Sequence, residues 1–289
     1  MKKLTFTLIL LCLMAMKGYS QDDLLSDLEA EQPEGPQIVT STFKGTRLIN
    51  GHSVETRKEG TLEFMISHRF GTLNSGSYNF WGLDQASIRI ALEYAVFDRF
   101  MIGVGRSSYQ KTYDGYLKYK LLQQQKGSVN MPISVVLFSS LAIKTLKRTD
   151  DFPVTFDDKL ASTYQMLIAR KFSDRLSLQV SPTFVQYGLI EANETRGDVL
   201  AIGVGGRLKL TNRLAINAEY FPQLRDKGDQ FQNAFAIGVD IETGGHVFQL
   251  QFTNATSMIE KGFVGESTND FFDGDIHFGF NISRAFQLK

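Results

Sequence analysis

From about residue 60 onward the chain alternates between apolar side chains and polar or small ones. Leu62, Phe64, Ile66, His68 and Phe70 interleave with Glu63, Met65, Ser67 and Arg69. Successive side chains of a strand point to opposite faces, so this segment reads as a strand with one apolar and one mostly polar face. The same alternation returns along the chain. Ile88, Ile90, Leu92, Tyr94 and Val96 oppose Arg89, Ala91, Glu93 and Ala95, and Phe100, Ile102 and Val104 oppose Met101, Gly103 and Gly105. Leu117, Tyr119 and Leu121 oppose Tyr116, Lys118 and Lys120, and further rows start near Ile133, Tyr164, Leu176, Leu200, Leu214, Phe235 and Phe248. The last row runs from Ile276 to Leu288 against Asp275, His277, Gly279, Asn281 and Ser283. This makes twelve segments of about nine to thirteen residues, the length a tilted strand needs to cross a bilayer.

The links between segments carry a second pattern. Short turns at 97–99, 173–174, 211–213 and 243–245, with a medium one at 124–131, alternate with longer links at 71–86, 106–114, 145–162, 188–197, 223–231 and 255–272. Up-and-down membrane barrels sort their connections in this way, with tight turns on the periplasmic side and longer loops outside. Both chain ends then fall on the periplasmic side. Aromatic residues gather near the predicted strand ends, among them Tyr78, Phe80, Trp81, Tyr113, Tyr220, Phe271 and Phe272 on the long-loop side and Phe97, Phe100 and Phe172 on the other. That arrangement fits interfacial girdles. A soluble sandwich could also bury one face of each strand, but its opposite faces would be a solvated surface rich in Lys and Glu. Hydrocarbon cannot satisfy backbone N–H and C=O groups, so a sheet placed in a membrane must close on itself. The predicted fold class is therefore all-β, a closed antiparallel up-and-down transmembrane β-barrel of about twelve strands.

The stretch from Phe43 to Leu122, with the phrases NGHSVET, ISHRFG, WGLDQ and GVGRSSYQKTYDGYLKY, resembles an uncharacterised family of outer-membrane β-barrel proteins of Gram-negative bacteria. The likeness extends over nearly all of the chain after its first segment. It implies an outer-membrane barrel and brings no assigned activity.

The first twenty residues read as a cleaved signal peptide. Lys2 and Lys3 precede an apolar run from Leu4 to Met16 that is too short to span a bilayer, and Gly18 and Ser20 are small residues placed for cleavage after Ser20. The single cysteine, Cys12, lies inside it, so an exported chain would have no disulfide. Residues 21–59 are expected to be a flexible periplasmic N-terminal segment. The first part is acidic and broken by Pro33 and Pro36, and 42–60 is basic and irregular, a further strand or a segment tucked against the barrel. The barrel domain itself is assigned to 60–289, with the cell outer membrane as its location.

Charge and candidate chemistry narrow the function. With 31 Lys and Arg against 31 Asp and Glu there is no basic surplus for nucleic acid. The register turns Lys118, Lys120, Lys144, Lys171, Arg207 and Lys209 into the lumen from the fourth to the eighth strand. It turns Glu219, Asp240, Glu242 and Asp275 into it from the ninth to the twelfth. Basic and acidic residues would then face each other across the lumen, and a water-filled pore so lined orients dipolar solutes and sets ion preference. The same charges could instead pair across a narrow barrel and plug it. Inward glycines at 103, 105, 203, 205, 238 and 279 either free volume or seat bulky neighbours.

No catalytic, cofactor or metal site is expected. His68 and His277 stand in no nucleophile motif, Gly105 to Thr112 lacks the glycine and helix of a phosphate loop, and four His with no mature Cys give no zinc spacing. Asn269, Asp270, Asp273 and Asp275 cluster in a late loop without calcium-loop spacing. The expected function is a porin-like passage or binding barrel for small polar or charged solutes. The alternative is a structural or interaction barrel with a plugged lumen, and less favoured still is an outer-membrane hydrolase. The expected partners are the lipid bilayer, small solutes, and a periplasmic partner reached through 21–59.

Overall fold

The computed structural model describes residues 35–147, 155–188, 197–225, 228, 230–243 and 246–288. The predicted signal peptide and the acidic part of the lead, up to residue 34, lie outside the described residues.

The alternating segments form strands where the pattern places them. They are β2 (Thr61–Thr72), β3 (Ala86–Phe97), β4 (Phe100–Ser107), β5 (Thr112–Leu122), β7 (Ser134–Lys144), β8 (Leu160–Lys171), β9 (Leu176–Tyr187), β10 (Val199–Lys209), β11 (Leu214–Phe221), β12 (Ala234–Thr243), β13 (His246–Thr253) and β14 (His277–Gln287). Two short strands, β1 (Gln37–Ile38) and β6 (Gln125–Lys126), pair with each other outside this ring. Among the described residues, one α-helix, α1 (Glu260–Gly265), interrupts the loop between β13 and β14.

Each long strand pairs antiparallel with its chain neighbour, and β14 returns to β2, so the described strands close a twelve-stranded barrel. The seam aligns Ser283 with Met65 and Phe280 with His68, and a bulge between His277 and Gly279 adjusts the register. Closure leaves no barrel strand with an unpaired edge, which is the condition for a sheet in hydrocarbon.

Burial runs opposite to that of a water-soluble protein. On β3, Arg89, Ala91, Glu93 and Ala95 are buried while Ile88, Ile90 and Leu92 are exposed. On β4 and β5, Val104 is 62% and Leu117 54% exposed, while Met101 and Lys118 are fully buried. The apolar row faces outward, and the polar row faces a lumen that is filled. The connections sort by end as expected. Tight links and the start of the described chain gather at one end, and the longer loops at the other.

What fills the lumen is the stretch that the sequence leaves as a further strand or a segment tucked against the barrel. The segment from Thr42 to Val54 is buried throughout except at Lys44 and runs inside the barrel. It is a re-entrant hairpin, entering beside the β5–β7 turn, where the Val39 N–H donates to Gln124 O at 2.9 Å. It turns at Leu48–Gly51 and leaves at the same end, where the Gly60 N–H donates to Ala95 O. A boundary at 59/60 therefore divides the sequence but not the packed body. The physical reason is that the inward row is rich in hydrogen-bonding groups. A polar, basic peptide satisfies these groups better inside the barrel than a free tail would outside it.

Candidate lumenal site

The hairpin's own geometry is simple. Arg47 and His52 face each other in an antiparallel bridge, the Leu48 N–H donates to Gly51 O at 2.8 Å, and the Ser53 N–H donates to Thr46 O at 2.9 Å. Ile49 and Asn50 sit at the centre of the turn, and neither Asn50 nor Gly51 takes a positive φ.

The barrel wall grips this hairpin along its length. At the tip, the Glu219 carboxylate on β11 accepts from three successive backbone N–H groups, those of Ile49, Asn50 and Gly51, at 3.3, 2.7 and 3.2 Å. Arg69 on β2 donates to Asn50 Oδ1 at 2.8 Å, Asn281 on β14 donates to Ile49 O at 3.0 Å, and Gln249 on β13 donates to Leu48 O at 2.9 Å. Gln179 on β9 donates to His52 O at 2.7 Å. An apolar seam supports the same hairpin, with Phe43, Leu48 and Val54 packed among Val136, Leu167 and Ala169.

Lys44, Arg47 and Arg57 each meet an acid. Lys44 lies 2.7 Å from Glu242 on β12, and Arg57 forms a two-pronged pair with Glu63 on β2 at 2.5 and 2.8 Å. Arg47 sits 3.9 Å from Glu93 on β3 and 3.4 Å from Glu260 on α1. Thr46 donates to the other oxygen of Glu93 at 3.0 Å. Burial pushes the Glu260 carboxyl above its ordinary range, and Arg47 pulls it back.

The loop carrying α1 closes the other end. Phe263 lies edge-on against Phe221 with ring centroids 5.0 Å apart, and it joins Val264, Tyr187, Val199 and Ala234 in an apolar cluster. Glu260 then reaches down to Arg47, with His52 Nε2 3.7 Å from the same carboxylate oxygen. The hairpin from one end and the helix from the other meet inside the barrel.

The ten lumen charges expected from the sequence fall as follows. Lys118, Lys120, Arg207, Glu219 and Asp240 are buried on the inward face, with Lys118 donating to Thr46 O at 3.3 Å and Asp240 accepting from Gln249 at 2.8 Å. Lys144, Lys171, Lys209 and Glu242 occupy inward positions near the strand ends and are partly exposed, Lys171 lying 3.3 Å from Asp174. Asp275 is placed differently. It lies in the loop ahead of β14, where it accepts from Asn74 Nδ2 at 2.6 Å and from the Asp270 N–H, because the strand begins two residues later than the alternation suggests.

Separation into one basic and one acidic wall does not describe the lumen. Arg69 and Arg89 lie on the same side as Glu63 and Glu93, and Arg89 forms a two-pronged pair with Asp114 on β5 at 2.5 and 2.9 Å. This pair spans β4, and it passes only because position 105 has no side chain: a Cβ there would collide with the Arg89 guanidinium. Gly103 likewise seats Tyr116, Gly203 seats Phe221, and Gly205 seats Leu48 of the hairpin. The inward glycines at 103, 105, 203 and 205 are seats for bulky groups. Of the residues in this network, Glu63, Arg69, Arg89 and Glu93 were legible as polar members of alternating rows. Arg47, His52 and Glu260 were not, since they come from segments without alternation.

The sequence matches the model of a family described as a membrane bound beta barrel domain (DUF5777), over residues 43–286. The chain belongs to this family. The family match begins at the first apolar residue of the hairpin and so takes in the lumenal filling as well as the wall. As a member of it, the protein is a membrane-bound β-barrel embedded in the lipid bilayer. No curated protein matches the sequence. Among solved structures, the chain is similar to the NanC porin, with 6% identity, a TM-score of 0.47, and coverage of 79% of this chain and 99% of that one. It is also similar to the KdgM porin in complex with disordered oligogalacturonate, at 8% identity and a TM-score of 0.45, covering 78% and 99%. The COG4313 outer membrane channel from Pseudomonas putida F1 aligns at 14% identity and a TM-score of 0.46, covering 81% and 98%.

Proposed function

We propose that this family member is a porin-like passage for small polar or charged solutes, held closed by its own N-terminal hairpin and by the loop carrying α1. The observation that carries this reading is the chemistry of the filling. Burying ion pairs costs desolvation that their attraction only partly offsets, so a lumen filled for stability alone gains more from apolar contacts. Here the wall behind the hairpin is lined by Glu63, Glu93, Lys118, Gln165, Gln179, Thr183, Gln249, Gln251 and Asn281. Once the hairpin is displaced, those groups are wetted and line a water-filled path. The hairpin enters and leaves at the short-turn end, the periplasmic end by the usual rule for such barrels. Residues 35–41 lead into it there, which gives a periplasmic partner a handle on the plug.

Planar-bilayer recordings test this. The full chain is expected to open rarely, and a variant lacking residues 43–56 is expected to show discrete steps whose size changes with Lys118→Glu or Asp240→Lys. Folding of the variant is checked by heat-modifiable gel migration. A folded deletion variant that stays silent at every voltage rejects the passage. It would favour the second reading, an interaction barrel with a permanently filled lumen, which the near-complete burial of Thr42–Val54 also supports.

A further inference from the structure

The contacts of the hairpin describe what the emptied wall would bind. We propose that the lumen is a receptor for a short cationic peptide and that residues 44–57 occupy it as a resident ligand. This rests on the passage reading and names the solute class it would serve.

Three observations point to that chemistry. First, each of Lys44, Arg47 and Arg57 is matched by a carboxylate that belongs to the barrel or its loop: Glu242, Glu93 with Glu260, and Glu63. Departure of the hairpin leaves these acids without the cations they hold. Glu63 and Glu93 are completely buried beneath the hairpin; once it leaves they stand as wetted carboxylates on a low-dielectric wall, which focuses their field and draws replacement cations. Of the wall's other cations nearby, Arg89 is committed to Asp114 and Arg69 reaches the Asn281 side chain on the wall, while Lys118 donates to Thr46 O.

Second, Glu219 recognises backbone rather than side chain. It accepts from three consecutive peptide N–H groups, and Gln179, Gln249 and Asn281 donate to peptide carbonyls at His52, Leu48 and Ile49. A polyamine has no peptide groups to present to these four. Third, the acids are distributed along the hairpin, from Glu242 near the short-turn mouth to Glu260 beneath the loop, so the complementary ligand is extended. Lys118, which donates to Thr46 O, sets a further requirement, since a ligand must place a carbonyl there and not a cation.

The test uses full-length protein in detergent carrying Lys44→Glu and Arg57→Glu, which turns two anchors of the hairpin against Glu242 and Glu63. Fluorescein-labelled tetra-arginine is followed by fluorescence anisotropy. Binding to this variant is expected to be at least ten-fold tighter than to the wild type, whose site is occupied. Adding Glu63→Gln and Glu242→Gln is expected to weaken it at least ten-fold. Spermine should compete poorly and tetra-glutamate not at all. If the double variant fails the heat-modifiability check, Lys44→Glu alone, at the partly exposed mouth, takes its place with the same expectations. The proposal is overturned if tetra-arginine binds the variant no better than the wild type, or if binding survives the loss of both acids. Equal competition by spermine overturns the peptide assignment. Bilayer recordings on the same variants separate the two readings. Binding without conductance removes the passage and keeps the receptor, and conductance without binding or block by tetra-arginine does the reverse.

Discussion

Glu219 shows how much of this lumen depends on single side chains. One buried carboxylate satisfies three N–H groups at the hairpin tip, and no neighbouring acceptor stands in for it in the contacts of Ile49, Asn50 and Gly51. Leaving buried donors unsatisfied costs roughly 1–3 kcal/mol for each group. Glu219→Leu is therefore expected to destabilise the folded barrel by about 3 kcal/mol or more, read as a lower urea midpoint in detergent. Glu219→Gln keeps one acceptor oxygen and should lose clearly less. The position was legible in the sequence as an inward acid, since Glu219 stands between Ala218 and Tyr220 in an alternating row. Its partner was not. Nothing in the row says that the acid serves backbone amides 170 residues earlier in the chain, because that pairing exists only once the barrel has closed around the hairpin.

At the level of elements, the strands and the lumenal filling follow different rules. Each long strand is specified by its own period of two and recovered nearly residue by residue. The hairpin and α1 have no such period. The hairpin carries an Asn50-Gly51 dipeptide of the kind found in hairpin turns, but neither residue takes the positive φ that such turns use, so the dipeptide does not dictate this one. The hairpin's place inside the barrel is not local information. The helix α1 is shorter still and would not hold alone, since isolated helices of this length are marginal in water. It is held by Phe263 and Val264 among Tyr187, Val199, Phe221 and Ala234. Phe263 is completely buried, and truncating a buried Phe costs about 3–5 kcal/mol where the site cannot collapse. Phe263→Ala should therefore loosen the loop over the long-loop end. Limited proteolysis within residues 254–276 would register this as faster cleavage, with the barrel strands still protected. Unchanged cleavage would show that the loop is held by other contacts.

For the molecule as a whole, the governing fact is inside-out burial. The outward row must meet acyl chains, so the cost of a charge there depends on depth. Arg at the mid-plane of a barrel's lipid face costs roughly 2–4 kcal/mol. Leu117, outward and 54% exposed near the middle of β5, is the position to test. Leu117→Arg should lower folding stability in lipid vesicles by about that amount, and Leu117→Phe should be nearly neutral. Equal effects from the two substitutions would mean that this face does not meet hydrocarbon.

The sequence by itself determined the strands, the face each turns outward, the sorting of short and long links, and the closure that a membrane demands. All of these follow from periodicity within a few residues and from the cost of unpaired backbone in hydrocarbon. Only the tertiary structure decided what the inward face is for. Polarity alone marks a residue as facing the lumen, whether it lines water or grips a peptide. The difference between a wetted channel and a lumen occupied by residues 42–57 lies in contacts such as Glu63 with Arg57 and Glu242 with Lys44. Those contacts require a closed ring of fixed diameter that brings distant segments together, and an irregular stretch of sequence has no period that could announce it.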